Sequence, residues 1–203
     1  KSGTTVETMG KFAIVFDRLQ QTLGPGRVSD QIVAVTSPDS GELRAMARSQ
    51  GFETFAVPPN VGGRFSVLSP VGLVPMALAG YPIRELLDGA DSARRRFLDE
   101  PVDDNAILRA TADIYRLYER GISELVMMAY SERLGTLVDW FRQLWAESLG
   151  KAEDRSGATV HEGMTPIKAI GSIDQHSQVQ LYAEGPPTRL VTFLQTESFE
   201  RDI

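Results

Sequence analysis

No cysteine occurs among the 203 residues, which excludes disulfides, thiolate metal sites and cysteine nucleophiles. Histidine is nearly as scarce. His161 and His176 are the only two, too few for a histidine-rich metal centre. No apolar run reaches the roughly 18 residues of a membrane span, and no signal-peptide pattern is visible. Basic residues are the minority, 21 against 27 acidic, and the net charge of −6 gives no general attraction to nucleic acid or an anionic membrane. An anionic ligand would need a local pocket of donors. A soluble cytoplasmic protein with neither a nucleic-acid nor a membrane partner is the expectation.

What is present is an ordinary globular mix, 42% hydrophobic and 24% charged, long enough to bury a sizeable core. Gln31–Thr36 (QIVAVT) and Phe52–Val57 read as short strands, with a helix between them that Ser37–Gly41 caps and that runs through Ser49. Strand, helix, strand at this spacing predicts a parallel sheet, whose ligands bind outside the carboxyl ends of the strands. A helix ahead of them draws an apolar face from Phe12, Ile14, Val15, Phe16 and Leu19, and Gly24-Pro25-Gly26 closes it. Ser69–Gly80 is apolar nearly all round and reads as a buried helix. Helices follow over Ile83–Asp99, whose Arg94-Arg95-Arg96 run reads as a solvated face, and over Asn105–Arg120. Ile122–Ala129 opens a second α/β unit, with one long helix over Ser131–Gly150, a polar loop over Lys151–Gly163, a strand over Met164–Ile170 and a helix from Gly171.

Four stretches carry residues suited to chemistry. KSGTTVET places hydroxyls beside Gly3 at a helix start, where Ser and Thr are the usual helix caps and where free N–H groups and the helix dipole can also hold a phosphate. VGGRFSVLSPVG has Gly62 and Gly63, which allow positive φ and close approach, ahead of Arg64, a residue suited to a phosphate, a carboxylate or a developing oxyanion. The same residues also read as a tight turn with a surface arginine. In QLWAESLGK, Gln143 and Glu147 share a helix face near Trp140 and Trp145, where burial would raise a carboxyl pKa toward that of a general base; an exposed helical glutamate fits the pattern too. DQHSQVQLYAEGP puts Gln175 and His176 at a helix start, as ligand groups or as capping residues.

Together the four stretches resemble the signatures of the glucose-6-phosphate isomerase family, phosphosugar isomerases built from two sugar-isomerase domains. The resemblance implies an α/β fold, a three-layer αβα sandwich with parallel sheets, present here as two partial units: 1–120, the later part of a first sugar-isomerase domain with connecting helices, and 121–203, the early part of a second. It implies that Ser2, Thr4, Thr5 and Thr8 grip the sugar phosphate. Glu147 aligns with the proton-shuttling base, Arg64 with the cation that offsets the enediolate, and His176 with the ring-opening histidine that reaches the neighbouring subunit's site. Gly63, Gln143 and Gln175 align with substrate-binding positions. Leu149 stands where the family frequently has asparagine.

The implied reaction interconverts glucose 6-phosphate and fructose 6-phosphate, with no metal or cofactor where a base and a fixed cation are present, in a homodimer with shared active sites. The alternatives are a non-catalytic phosphosugar-binding module, which has no use for Glu147 and His176, and an isomerase acting on mannose phosphate as well. The family's glycine-rich segment ahead of the phosphate loop, and its later ring-opening lysine, have no counterpart in these residues. KSGTTVET reads as the middle of a motif and TRLVTFLQTE as a strand awaiting continuation, so an internal section of a longer protein is expected.

Overall fold

The near-continuous apolar run ELVMMA is what a parallel strand covered on both faces requires, and it forms the central strand of the larger sheet. A computed structural model of the chain describes Gly3 and residues 5–198. It divides into two compact units, Lys1–Asp91 and Ser92–Ile203. The division falls inside the helix Ile83–Asp99, so the later half of that helix and the helix Ala106–Glu119 group with the second unit by their contacts.

In the first unit α1 (Val6–Leu23) leads to β1 (Val33–Thr36), α2 (Glu42–Gln50) and β2 (Glu53–Ala56). The two strands pair in parallel, Val33 opposite Glu53 through Thr36 opposite Ala56. Ala34, Ala47 and Phe52 form the buried centre, and Phe12, Phe16, Leu43 and Met46 pack on it from α1 and α2. Phe12 and Phe16 stack at 5.6 Å, and each meets Phe52 edge-on. Ile14 and Val15 do not share this face. They are 71% and 56% exposed, because Phe12 and Phe16, one turn apart, define the inward stripe, with Ile14 on the opposite side of the helix and Val15 at the flank of that stripe.

A 3-10 turn over Gly63–Leu68 then feeds α3 (Pro70–Leu78), which starts with Pro70 in its first turn and Ser69 as its cap. The expectation of a buried helix here is corrected: no α3 residue is fully buried and Leu78 is 78% exposed. α1 and α2 already cover the unit's buried centre, and α3 packs on the 3-10 turn before it. The helix α4 (Ile83–Asp99) follows.

The second unit carries α5 (Ala106–Glu119), β3 (Glu124–Ala129), α6 (Gly135–Leu149), β4 (Lys151–Glu153), β5 (Thr159–Glu162), β6 (Thr165–Ile170), α7 (Ile173–Glu184) and β7 (Arg189–Leu194). Asn105, fully buried, joins α4 to α5. Its Nδ2 donates to the Arg96 and Phe97 carbonyls at the end of α4, and its Oδ1 accepts from Leu108 N at the start of α5. The sheet order is β6-β3-β7, all parallel, with Val126 opposite both Ile167 and Val191. Val126, Met128, Ala169 and Val191 face α7 through Tyr182. The alternate residues of β6 face α6, where Lys168 Nζ donates to Asp139 Oδ2 at 2.7 Å. Helices therefore cover both faces of the sheet, giving a three-layer α/β arrangement.

Two expectations change here. A 3-10 turn over Glu132–Leu134 precedes α6, so the long helix starts at Gly135, beside Ile170 Cδ1. The polar loop 151–163 is an antiparallel hairpin. Asp154 Oδ1 accepts from Ser156 N, Ser156 Oγ and Ala158 N, and so builds its turn.

Candidate active site

In the first unit the candidate groups leave the carboxyl edge of the sheet. A Cβ on Gly3, which is buried at φ 78°, would lie 2.7 Å from Leu43 N, so the chain start passes against the first turn of α2, just beyond the end of β1. Thr5 caps α1 without a side-chain hydrogen bond to it, and Thr5 and Thr8 are exposed. Ser2 and Thr4 lie outside the described residues. Val57 N, at the end of β2, donates to Thr36 O, and the chain then runs through Pro58–Gly62 to Arg64.

The Arg64 turn is braced from within. Ser66 Oγ donates to Gly63 O and Ser69 Oγ to Ser66 O, both at 2.6 Å. The Arg64 guanidinium lies 4.7 Å from the Phe65 ring centroid. Neither Gly62 nor Gly63 has positive φ, which corrects that part of the sequence reading. A Cβ on Gly63 would meet nothing within 4 Å, so no neighbour in the chain demands glycine there. The demanding glycine is Gly72, whose Cβ would fall 2.1 Å from Val67 O and push α3 off the turn that carries Arg64.

In the second unit Gln143 Nε2 donates to Glu147 Oε1 at 3.0 Å, one turn apart on α6. Both side chains are exposed. The burial expected from the two tryptophans is absent, because Trp145 turns inward to Phe141 (5.5 Å between rings) while Glu147 turns out. At α7, Gln175 Oε1 accepts from the Tyr130 hydroxyl at 2.7 Å, and His176 is exposed beside it with its N–H bonded to Ser172 O. Asp174 Oδ2 accepts from Ile170 N at 2.7 Å and ties α7 to the end of β6. Below this cluster Met128, Tyr130, Val179, Tyr182, Val191 and Phe193 line a cavity of about 250 Å³. Burial pushes the Tyr182 hydroxyl pKa up.

These two pairs stand at opposite edges of one sheet. α6 begins beside Ile170, at the carboxyl end of β6, and ends where Gly163 packs on Gly150, just ahead of β6. Gly135 and Glu147 are separated by about 18 Å of helical rise. Glu147 therefore lies at the amino edge, while Tyr130, Gln175 and His176 gather at the carboxyl edge. Sequence reasoning missed Tyr130, whose only signal was an aromatic ring just past the last strand position. Gly171, where a Cβ would lie 2.7 Å from the Tyr130 ring, gives that ring its space. Among the described residues no group of three or more His, Asp or Glu side chains could hold a metal ion, and no helix is long and apolar enough to cross a membrane.

Parallel sheets flanked by helices, with polar side chains gathered at strand and helix ends, define the class as a layered α/β protein. The family model for phosphoglucose isomerase matches residues 1–198, and the chain belongs to that family. It is 46% identical over its full length to the glucose-6-phosphate isomerase of Carboxydothermus hydrogenoformans and 43% identical to that of Thermus thermophilus, covering 44% and 47% of those proteins. The chain thus spans about half the length of the curated relatives it matches. Among solved structures it is similar to a hypothetical protein of Thermus thermophilus, with TM-score 0.87 and 42% identity over 95% of this chain and 45% of that one. A glucose-6-phosphate isomerase from Chlamydia trachomatis gives TM-score 0.81 and 26% identity over 95% of this chain and 37% of that one.

Proposed function

We propose that the whole protein is an aldose–ketose isomerase that interconverts glucose 6-phosphate and fructose 6-phosphate through an enediolate, a step of glycolysis and gluconeogenesis, in the cytoplasm and without a cofactor. Ser2, Thr4, Thr5 and Thr8 hold the phosphate, and Gly63, Gln143 and Gln175 contact the sugar. His176 assists opening of the cyclic hemiacetal. Glu147 takes the proton from C2 and returns it to C1, and Arg64 offsets the charge on the enediolate oxygens. The hydrogen bond from Gln143 orients the Glu147 carboxylate for that transfer.

The observation that carries this reading is the separation of Glu147 from His176. Two groups at opposite edges of one sheet cannot serve one six-carbon sugar from within a single chain, whereas a two-fold pair of chains can offer Glu147 of one to His176 of the other. A homodimer with shared sites follows. The domain assignment goes with it: a first sugar-isomerase domain in its later part up to residue 120, and a second from residue 121.

Glu147→Gln keeps the shape and removes the base. Turnover is expected to fall by roughly 10²–10⁴ with substrate affinity retained, and solvent-deuterium exchange at C2 should vanish with it. Near-normal exchange in that variant would remove Glu147 from the role.

A further inference from the structure

Glu147 occupies the last turn of α6, a poor place from which to aim a carboxylate. The final carbonyls of a helix lack internal partners, the helix dipole disfavours negative charge there, and α6 has no basic residue in its last turn. An unsecured last turn frays. The structure secures this one from the side opposite Glu147. Trp145 Nε1 donates to the Met164 carbonyl at 3.1 Å, and Met164 is itself buried, immediately ahead of β6. The Trp145 ring also packs on Phe141. Lys151 Nζ then caps the end by donating to the Ser148 and Gly150 carbonyls at 2.8 and 3.2 Å.

Trp145 and Glu147 are two residues apart, about 200° around the helix, so one faces the sheet while the other faces out. Fixing the indole against the buried carbonyl just ahead of β6 fixes the rotation of the last turn about its axis, and with it the direction of the Glu147 carboxylate. The Gln143 bond at 3.0 Å sets the carboxylate's twist but cannot hold the turn itself, since Gln143 belongs to the same helix. We infer that Trp145 is a positioning residue for Glu147, acting through its hydrogen bond to the Met164 carbonyl, with Lys151 as the second anchor. This rests on the reading of Glu147 as the base.

The test uses the whole protein and compares Trp145→Phe, Lys151→Met and Glu147→Gln. Phenylalanine keeps the aromatic packing and removes only the N–H donor. The expected result is a kcat lower by about tenfold with KM within about twofold, because proton transfer depends on placement more steeply than binding does. Lys151→Met should lower kcat by about threefold in the same pattern. A merely structural role would lower the melting temperature and leave kcat per folded molecule unchanged, and that outcome overturns the proposal. If Trp145→Phe does not fold, Lys151→Met decides, and unchanged kcat there overturns it equally. Should Glu147→Gln keep its turnover, the reading of Glu147 as the base fails first. Loss in Glu147→Gln with full kcat in both anchor variants leaves Glu147 in place and removes only the positioning role.

Discussion

The two edges of the β6-β3-β7 sheet are built differently. At the carboxyl edge, Tyr130, Gln175 and Asp174 are tied to strand ends by bonds of 2.7 Å, and His176 stands out from a helix start that those bonds fasten. At the amino edge, Glu147 sits on a helix end held by an indole on one side and a lysine cap beyond, beside a hairpin that α5 clips through the Tyr118 hydroxyl to Glu162. One edge presents a group from an anchored loop-to-helix junction, the other from a helix terminus that needs outside support. On the proposed reading, the difference teaches that each chain carries two half-sites, neither of which can do the chemistry alone.

The sharpest way to separate the edges chemically is to compare ring-bound and open-chain substrates. Glu147 moves the proton in either case, whereas His176 matters only while the sugar is cyclic. His176→Ala should lower turnover of the cyclic hexose phosphate by about 10²-fold, yet leave C2 deuterium exchange on a sugar phosphate too short to cyclise unchanged. Equal loss on both substrates would merge the two roles and break the comparison.

A structural break at the carboxyl edge comes next in size. Gly171→Ala would drive a Cβ to 2.7 Å from the Tyr130 ring. That overpacking should cost about 1–3 kcal/mol in thermal or urea unfolding, with loss of the Tyr130–Gln175 contact. Gly135→Ala is the control at the start of α6: the nearest atom is Ile170 Cδ1 at 3.4 Å, the end of a flexible side chain, so stability should change by under about 0.5 kcal/mol. A Gly171→Ala protein as stable as its parent would show that Tyr130 is free to move.

The smallest effect belongs to the hairpin at the amino edge. Hydrogen bonds from the Ser156 hydroxyl and the Ala158 and Ser156 amides hold the Asp154 carboxyl below its ordinary value of 3.8. A depressed carboxyl contributes stability above its unfolded value and loses it as pH falls through the native one. Amide-exchange protection in the 154–158 turn should therefore hold at neutral pH and decline as the pH falls below about 3.8. Asp154→Asn should flatten that dependence, and a pH response that survives the substitution would place the titrating group elsewhere.

How much of this was legible in the sequence follows from what each residue type can report. ELVMMA declares a buried parallel strand because burial on both faces leaves no polar alternation, and QIVAVT declares a strand by its β-branched run, its parallel pairing following from the strand–helix–strand spacing. Asn105, Gly24 and Gly41 mark helix ends by their cap chemistry. The hairpin at 151–162 was not legible, since its short strands offer a single apolar residue each, Ala152 and Val160, and its turn depends on one Asp154 oxygen accepting three bonds. The exposure of α3 was not legible either, because apolar composition states a need for cover without stating what provides it. The burial wrongly expected for Glu147 came from counting on the bulk of the tryptophans of α6, although Trp140 on its face is itself 36% exposed and Trp145 lies about 200° away around the helix. The roles of Arg64, Glu147 and His176 came from motif resemblance. The distribution of Glu147 and His176 over two edges came only from topology: β3 runs into α6 and β6 into α7, which turns the end of one helix and the start of the other to opposite sides.

The central claim, that a working site is assembled from two chains, is tested most directly by mixing inactive subunits of the whole protein. Glu147→Gln chains lack the base and His176→Ala chains lack the ring-opening group. After demonstrated subunit exchange at equal amounts, half the dimers are mixed, and each has one site with both groups intact. Activity should then return to about a quarter of that of the unmodified protein, since one site in four is whole. Activity no higher than the average of the two parent variants, with exchange proven by mass or tag, would contradict the shared site.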